Sequence, residues 1–125
     1  MKTRVKDLFI KGIESFNQKE YYDAHEYFEE MWLDYKLEDK IFIQALLQLS
    51  VAYFHISNSN KNGAIGLFKK SINKLDRYVD TCQDITNINS VIKSAHESYS
   101  NVMSNKDIDD FDWTLAPKLE VRANL

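Results

Sequence analysis

Apolar residues recur at steps of three and four along most of this chain. Val5, Leu8, Phe9, Gly12, Ile13 and Phe16 make one stripe of a helix over 4–17, and Asn17 and Gln18 end it. Tyr21, Ala24, Phe28, Met31, Trp32 and Tyr35 predict a second helix over 20–35, with Glu26, Glu30 and Asp34 mostly on its other side. A third, over 39–57, is apolar almost all round and is expected to be the most buried. Its strongest face carries Phe42, Leu46, Leu49, Tyr53 and Ile56; a second flank carries Ile43, Leu47 and Phe54. The polar run SNSNKNG, 57–63, reads as a turn, with Asn60 or Asn62 as cap for the next helix. A fourth helix is expected over 62–80 through Ala64, Leu67, Phe68, Ile72, Leu75 and Val79. A fifth follows over 86–104 through Ile88, Val91, Ile92, Ala95, Tyr99, Val102 and Met103, capped by Thr86 or Asn87. Residues 106–125 lack this period and are expected as a non-helical or partly ordered tail, packed back through Phe111, Trp113 and Leu115.

The pattern also repeats. A shift of forty residues sets Phe9 on Leu49, Gly12 on Ala52, Ile13 on Tyr53, Phe16 on Ile56, Ala24 on Ala64 and Phe28 on Phe68. Small residues meet small ones and bulky meet bulky. The expected fold is therefore all-α: two stacked antiparallel helical hairpins, weakly similar to tetratricopeptide hairpins, with a fifth helix capping one end.

Composition agrees with one soluble domain. The chain has 125 residues, 44% hydrophobic and 28% charged, and three glycines and one proline argue against a turn-rich β protein. A net charge of −3 and the lack of any Lys/Arg block disfavour nucleic acid or an anionic membrane as partner. Cys82 is the only cysteine, so no internal disulfide forms. The N-terminal run has no signal-peptide apolar core. The longest apolar stretch, 41–56, is broken by Gln44, Gln48, Ser50 and His55 and is too short to span a bilayer. The cytoplasm is the expected compartment.

Candidate chemistry gathers in HEYFEEMW, 25–32. At 100° per residue His25, Glu29, Trp32 and Lys36 project in nearly one direction, and His25 and Glu29, at i and i+4, reach one point. Gln44, Gln48 and His55 form a polar stripe about 40° wide on the third helix. Several readings follow. The pair satisfies hydrogen bonds at the core edge, or His25, Glu29, Trp32, Gln44, Gln48 and His55 line a binding pocket. In a third, His25, Glu29 and His55 hold a divalent metal ion. The stripe of the third helix, lying opposite its apolar face, also reads as a solvated face. Trp32 reads as a core anchor, and Tyr21, Tyr22, Tyr27 and Tyr35 as half-buried rings with wet hydroxyls. HExxH is absent, and the acidic run 107–112 lacks the glycine and terminal glutamate of a calcium loop.

The run Phe16-Asn-x-x-x-Tyr21-Tyr-x-Ala24-His25-Glu26-x-x-Glu29-x-x-Trp32 resembles the signature of a small family of uncharacterised bacterial and archaeal proteins, catalogued as a domain of unknown function and typified by HxxxExxW. Phe42-Ile-Gln44-Ala-Leu-Leu-Gln48, His55, Asn60-x-x-Gly63-Ala64 and Pro117 extend the likeness. The resemblance implies a small helical bundle. It also implies a suggested metal site, which falls on His25 and Glu29 with Trp32 as a wall.

The leading functional expectation is a small helical binding module, without enzyme activity, that takes a protein or small-molecule ligand. The alternative is a metal-dependent, hydrolase-like enzyme using His25 and Glu29, a third ligand from the third helix, and Glu26 as general base. A homodimer through the second flank of the third helix is a further expectation.

Overall fold

The computed structural model describes residues 3–82 and 84–125. Five helices follow one another: α1 (Thr3–Asn17), α2 (Tyr21–Asp34), α3 (Lys40–Ser57), α4 (Lys61–Leu75) and α5 (Ile88–Ser104). α1 and α2, α2 and α3, and α3 and α4 pack antiparallel, because the links between them are too short for anything else, and α5 packs on α4. The chain is all-helical, as the 3.6-residue period requires, and its hairpins pack against each other. Among the described residues no helix is long and apolar enough to cross a membrane.

The forty-residue echo appears in the backbone. α1 ends in a left-handed residue, Lys19 at φ 62°, and α3 ends in Ser59 at φ 56°. Lys19 N–H donates to the Phe16 carbonyl at 3.0 Å, and Ser59 N–H to the Ile56 carbonyl at 3.0 Å. Glu20 N–H donates to the Ser15 carbonyl (2.9 Å), and Asn60 N–H to the His55 carbonyl (2.8 Å). Both hairpins thus close their first helix with one left-handed turn that satisfies the orphan carbonyls. They differ in the cap that follows. Asn60 accepts from Gly63 N–H at 2.9 Å, whereas Glu20 makes no side-chain cap bond.

The α1 stripe and the strongest face of α3 bury as predicted, whereas Met103, counted on the stripe of α5, is exposed. Phe42, Leu46, Leu49, Tyr53 and Ile56 are all buried, and Tyr53 sits at the centre. Its ring meets Phe16, Tyr21, Phe68, Phe111 and Trp113, and its hydroxyl pairs with that of Ser98 at 2.8 Å. α1, α2, α4, α5 and the tail all reach this one side chain. Gly12 does what its place on an apolar stripe suggested. A Cβ there would come within 2.5 Å of Phe28, so the missing side chain lets α2 close onto α1.

Two boundaries move. The fourth helix stops at Leu75 rather than 80 and tightens into a 3-10 turn, Asp76–Tyr78. Tyr78 reaches back to α3 there. Its hydroxyl donates to the Asp39 carboxylate at 2.7 Å and its ring packs on Phe42, while Val79, counted on the apolar stripe, is left exposed. The fifth helix starts at Ile88. Asn87 stands at its cap position but spends its amide on the tail: Nδ2 donates to the Lys118 carbonyl and Oδ1 accepts from Glu120 N–H.

The tail is more ordered than its sequence suggests. Two 3-10 turns, Ile108–Asp110 and Trp113–Leu115, lead into an extended run. That run pairs with 84–86 through an isolated antiparallel bridge, Ile85 to Val121. Phe111 is buried, and Trp113 and Leu115 are partly so. Ile85, Ile108 and Leu119 are core residues that the periodicity did not pick out.

Candidate functional site

α2 holds the expected pair together. His25 Nε2 lies 2.6 Å from Glu29 Oε2, and His25 Nδ1 lies 3.3 Å from the Tyr22 carbonyl. Both partners are acceptors, so the ring donates to each only when both of its nitrogens carry hydrogen. The pair lies at the surface: the His25 side chain is 23% exposed and that of Glu29 44%. A surface pair of this kind contributes little, at most about 1 kcal/mol. His25→Ala is therefore expected to cost about 0.5 kcal/mol or less in urea unfolding. A loss of about 2 kcal/mol would instead mark a buried, obligatory bond.

The other expected site residues do not converge on this pair. Trp32 is half-buried against the core, and the Lys40 ammonium sits 4.7 Å from its ring centroid, which makes it a cation–π partner at the helix junction. His55 lies partly exposed at the end of α3. Its Nδ1 is 3.3 Å from the Asn60 amide, and its ring lies against Gly63, facing α4. Among the described residues no three His, Cys, Asp or Glu side chains stand close enough to hold one metal ion, so His25, Glu29 and His55 are not assembled as a ligand set. Gln44 and Gln48 are partly exposed and make no hydrogen bond to the pair. Gln48 Oε1 is itself shut away from solvent with no donor among the described residues. His96 is exposed and pairs with Asp76 at 2.8 Å.

One tyrosine parts company from the expected set. Tyr21 is buried rather than half-buried, 3% exposed, with a hydroxyl that finds no partner among the described residues. Desolvation raises its pKa well above the usual phenol value. Its ring stacks on Tyr53 and Trp113, and the tail's Trp113 is what covers it. Tyr22, by contrast, is half exposed, and hydrogen bonding to Glu26 raises its pKa. Burial pushes the Cys82 thiol pKa up, which lowers its thiolate fraction.

The open space lies beside the pair. Tyr22 packs on His25 with ring centroids 5.6 Å apart, and on Phe54 of α3 at 5.4 Å. These two aromatics border a shallow cleft of about 230 Å³ that is also lined by Lys19, Glu20, Asp23 and Ser57. None of the six residues expected to line a pocket borders it. The sequence held a usable sign. Tyr22 and Phe54 lie on the flanks that face each other once α2 and α3 pair antiparallel, and Glu20, Asp23 and Glu26 surround Tyr22 in sequence. Without the register between the helices that sign had no address.

Fold and site together define a small all-helical bundle domain. Residues 9–67 match the model of the family described as Domain of unknown function (DUF309), an uncharacterised domain family, and the matched span runs from within α1 into α4. No curated protein and no solved structure matches the chain.

Proposed function

We propose that this chain is a small helical binding module whose α2–α3 edge recognises a cationic group, a lysine or arginine side chain, presented by a partner. The observation that carries the reading is the make-up of the cleft: two aromatic rings, Tyr22 and Phe54, stand beside a rim bearing the Glu20 and Asp23 carboxylates. Aromatic faces and carboxylates attract the same ligand, a cation, and a guanidinium uses both through stacking and paired N–H donation. The one cation on the rim, Lys19, is turned partly toward the Trp113 ring, 5.7 Å away. The His25–Glu29 pair continues the acidic edge, and the exposed Glu29 carboxylate keeps lone pairs free for a donor. The geometry favours this over a metal-dependent enzyme, which needs a third ligand beside His25 and Glu29.

The test is an NMR titration of the ¹⁵N-labelled chain with N-acetyl-arginine-amide, and separately with its uncharged citrulline counterpart. The expected result is a saturable set of amide shifts centred on Tyr22, Asp23, Phe54 and Ser57, given by arginine and not by citrulline. Shifts spread over the whole acidic surface, or equal shifts from both probes, would remove the site.

A further inference from the structure

The extended run 117–122 is held by hydrogen bonds along one edge. On that edge Thr86 N–H donates to the Glu120 carbonyl at 2.8 Å, Arg122 N–H donates to the Asp84 carbonyl at 3.0 Å, and the Asn87 amide spans Lys118 and Glu120. Main-chain groups of an extended segment alternate sides, so Leu119 and Val121 turn their N–H and C=O groups the other way, toward α1. Asn17 of α1 takes both groups of Leu119. Leu119 N–H donates to Asn17 Oδ1 at 2.7 Å, and Asn17 Nδ2 donates to the Leu119 carbonyl at 3.0 Å. Among the described residues, nothing bonds the N–H or C=O of Val121. One strand position is left open, between a position already filled and the end of the run.

That open position borders a cleft of about 450 Å³, larger than the one of about 230 Å³ at α2 and α3. Its wall on α1 is Lys6, Ile10, Ile13 and Glu14, one helical stripe; Leu119, Val121 and Arg122 face it from the tail. The volume lies within the range of about 300–1,000 Å³ that holds small ligands. Its chemistry is mixed in a particular way. Apolar side chains make the floor, and of the charged side chains that line it two are cations, Lys6 and Arg122, and one is the Glu14 carboxylate. Arg122 is engaged through Nε with Asp84 at 2.9 Å, and Lys6 has no ion pair among the described residues.

The geometry points to a second site here, one that takes a short extended peptide segment bearing an acidic residue. The segment adds to the tail by main-chain hydrogen bonds to Val121, sets an apolar side chain on Ile10, Ile13 and Leu119, and brings its carboxylate to Lys6 and Arg122. Strand addition of this kind draws affinity from the main chain and specificity from the side-chain contacts. Asn17 already performs the same docking with a side-chain amide, which has the donor and acceptor of a peptide group. The site is separate from the α2–α3 edge and selects the opposite charge, so either can fail without the other.

The experiment uses the ¹⁵N-labelled full chain and N-acetyl-Leu-Leu-Glu-amide, with the Gln-ended peptide and octanoate as comparison probes. Saturable shifts are expected at Ile10, Ile13, Leu119, Val121 and Arg122, with the Val121 amide protected from exchange and the Gln peptide several-fold weaker. Val121→Pro removes an N–H that holds no bond, so its spectrum away from the cleft should match the parent while affinity falls about tenfold or more. Lys6→Glu, on the cleft wall, should erase the preference for Glu over Gln. No saturable shift at these residues would overturn the proposal. So would Val121→Pro binding as tightly as the parent, or octanoate binding where the peptides do not.

Discussion

Tyr53→Ala is expected to lower the unfolding free energy by about 3–5 kcal/mol, the largest effect of any single substitution considered. The ring is fully buried, and five other aromatics close around it from α1, α2, α4 and the tail. Removing it leaves a cavity where those elements meet, and it takes from the buried Ser98 hydroxyl its shorter bond, leaving only the 3.4 Å bond to the Leu115 carbonyl. A domain of this size has about 5–15 kcal/mol in total, so the variant should be partly unfolded well below the parent's midpoint. Tyr53→Phe isolates the hydroxyl bond and should cost about 1 kcal/mol. Urea unfolding followed by tyrosine and tryptophan fluorescence gives both numbers. A Tyr53→Ala loss below about 1.5 kcal/mol would mean that the core collapses around the gap and that this ring is not its centre.

Gly12→Ala is expected to destabilise by about 1–3 kcal/mol, although alanine is the better helix former by about 1 kcal/mol. The added Cβ would stand 2.5 Å from Phe28 Cε1 and 2.8 Å from its Cζ, and Phe28 is buried with no room to retreat. Gly66 supplies the contrast. A Cβ there meets nothing within 4 Å, so Gly66→Ala should stabilise by about 0.5–1 kcal/mol. Opposite signs at two glycines within helices separate close packing from intrinsic propensity. Two stabilising values would mean that α1 and α2 do not approach closely at Gly12.

The helices and their buried faces were legible because they are repetitive. Tyr53, Phe42 and Leu49 announce their burial by spacing alone, whereas the left-handed turns that the two hairpins share, at Lys19 and Ser59, were not read from the forty-residue echo. The tail was not legible for a physical reason. It is held by side-chain amides acting at long range, Asn17 on Leu119 and Asn87 on Lys118 and Glu120, and such bonds have no local signature. The candidate site was legible in part. His25 and Glu29 meet because i,i+4 spacing on a helix brings them together. His55 goes elsewhere because its direction depends on where α4 packs, and Asn60 and Gly63 of the next turn claim it. Periodicity gives each helix a face but does not say which neighbour the face meets.

The most direct measurement of the central claim is the affinity of N-acetyl-arginine-amide for the parent chain and for Phe54→Ala, with Glu30→Gln as the charge control. Phe54 borders the cleft, whereas Glu30 lies two turns beyond Asp23 on α2, outside the cleft lining, and is paired with Arg4 at 2.8 Å. If the α2–α3 edge recognises a cation through its aromatic wall, Phe54→Ala weakens binding by about 1 kcal/mol or more, roughly fivefold, and Glu30→Gln leaves it unchanged. Equal affinities for the parent and Phe54→Ala, or a matching loss in Glu30→Gln, would contradict it.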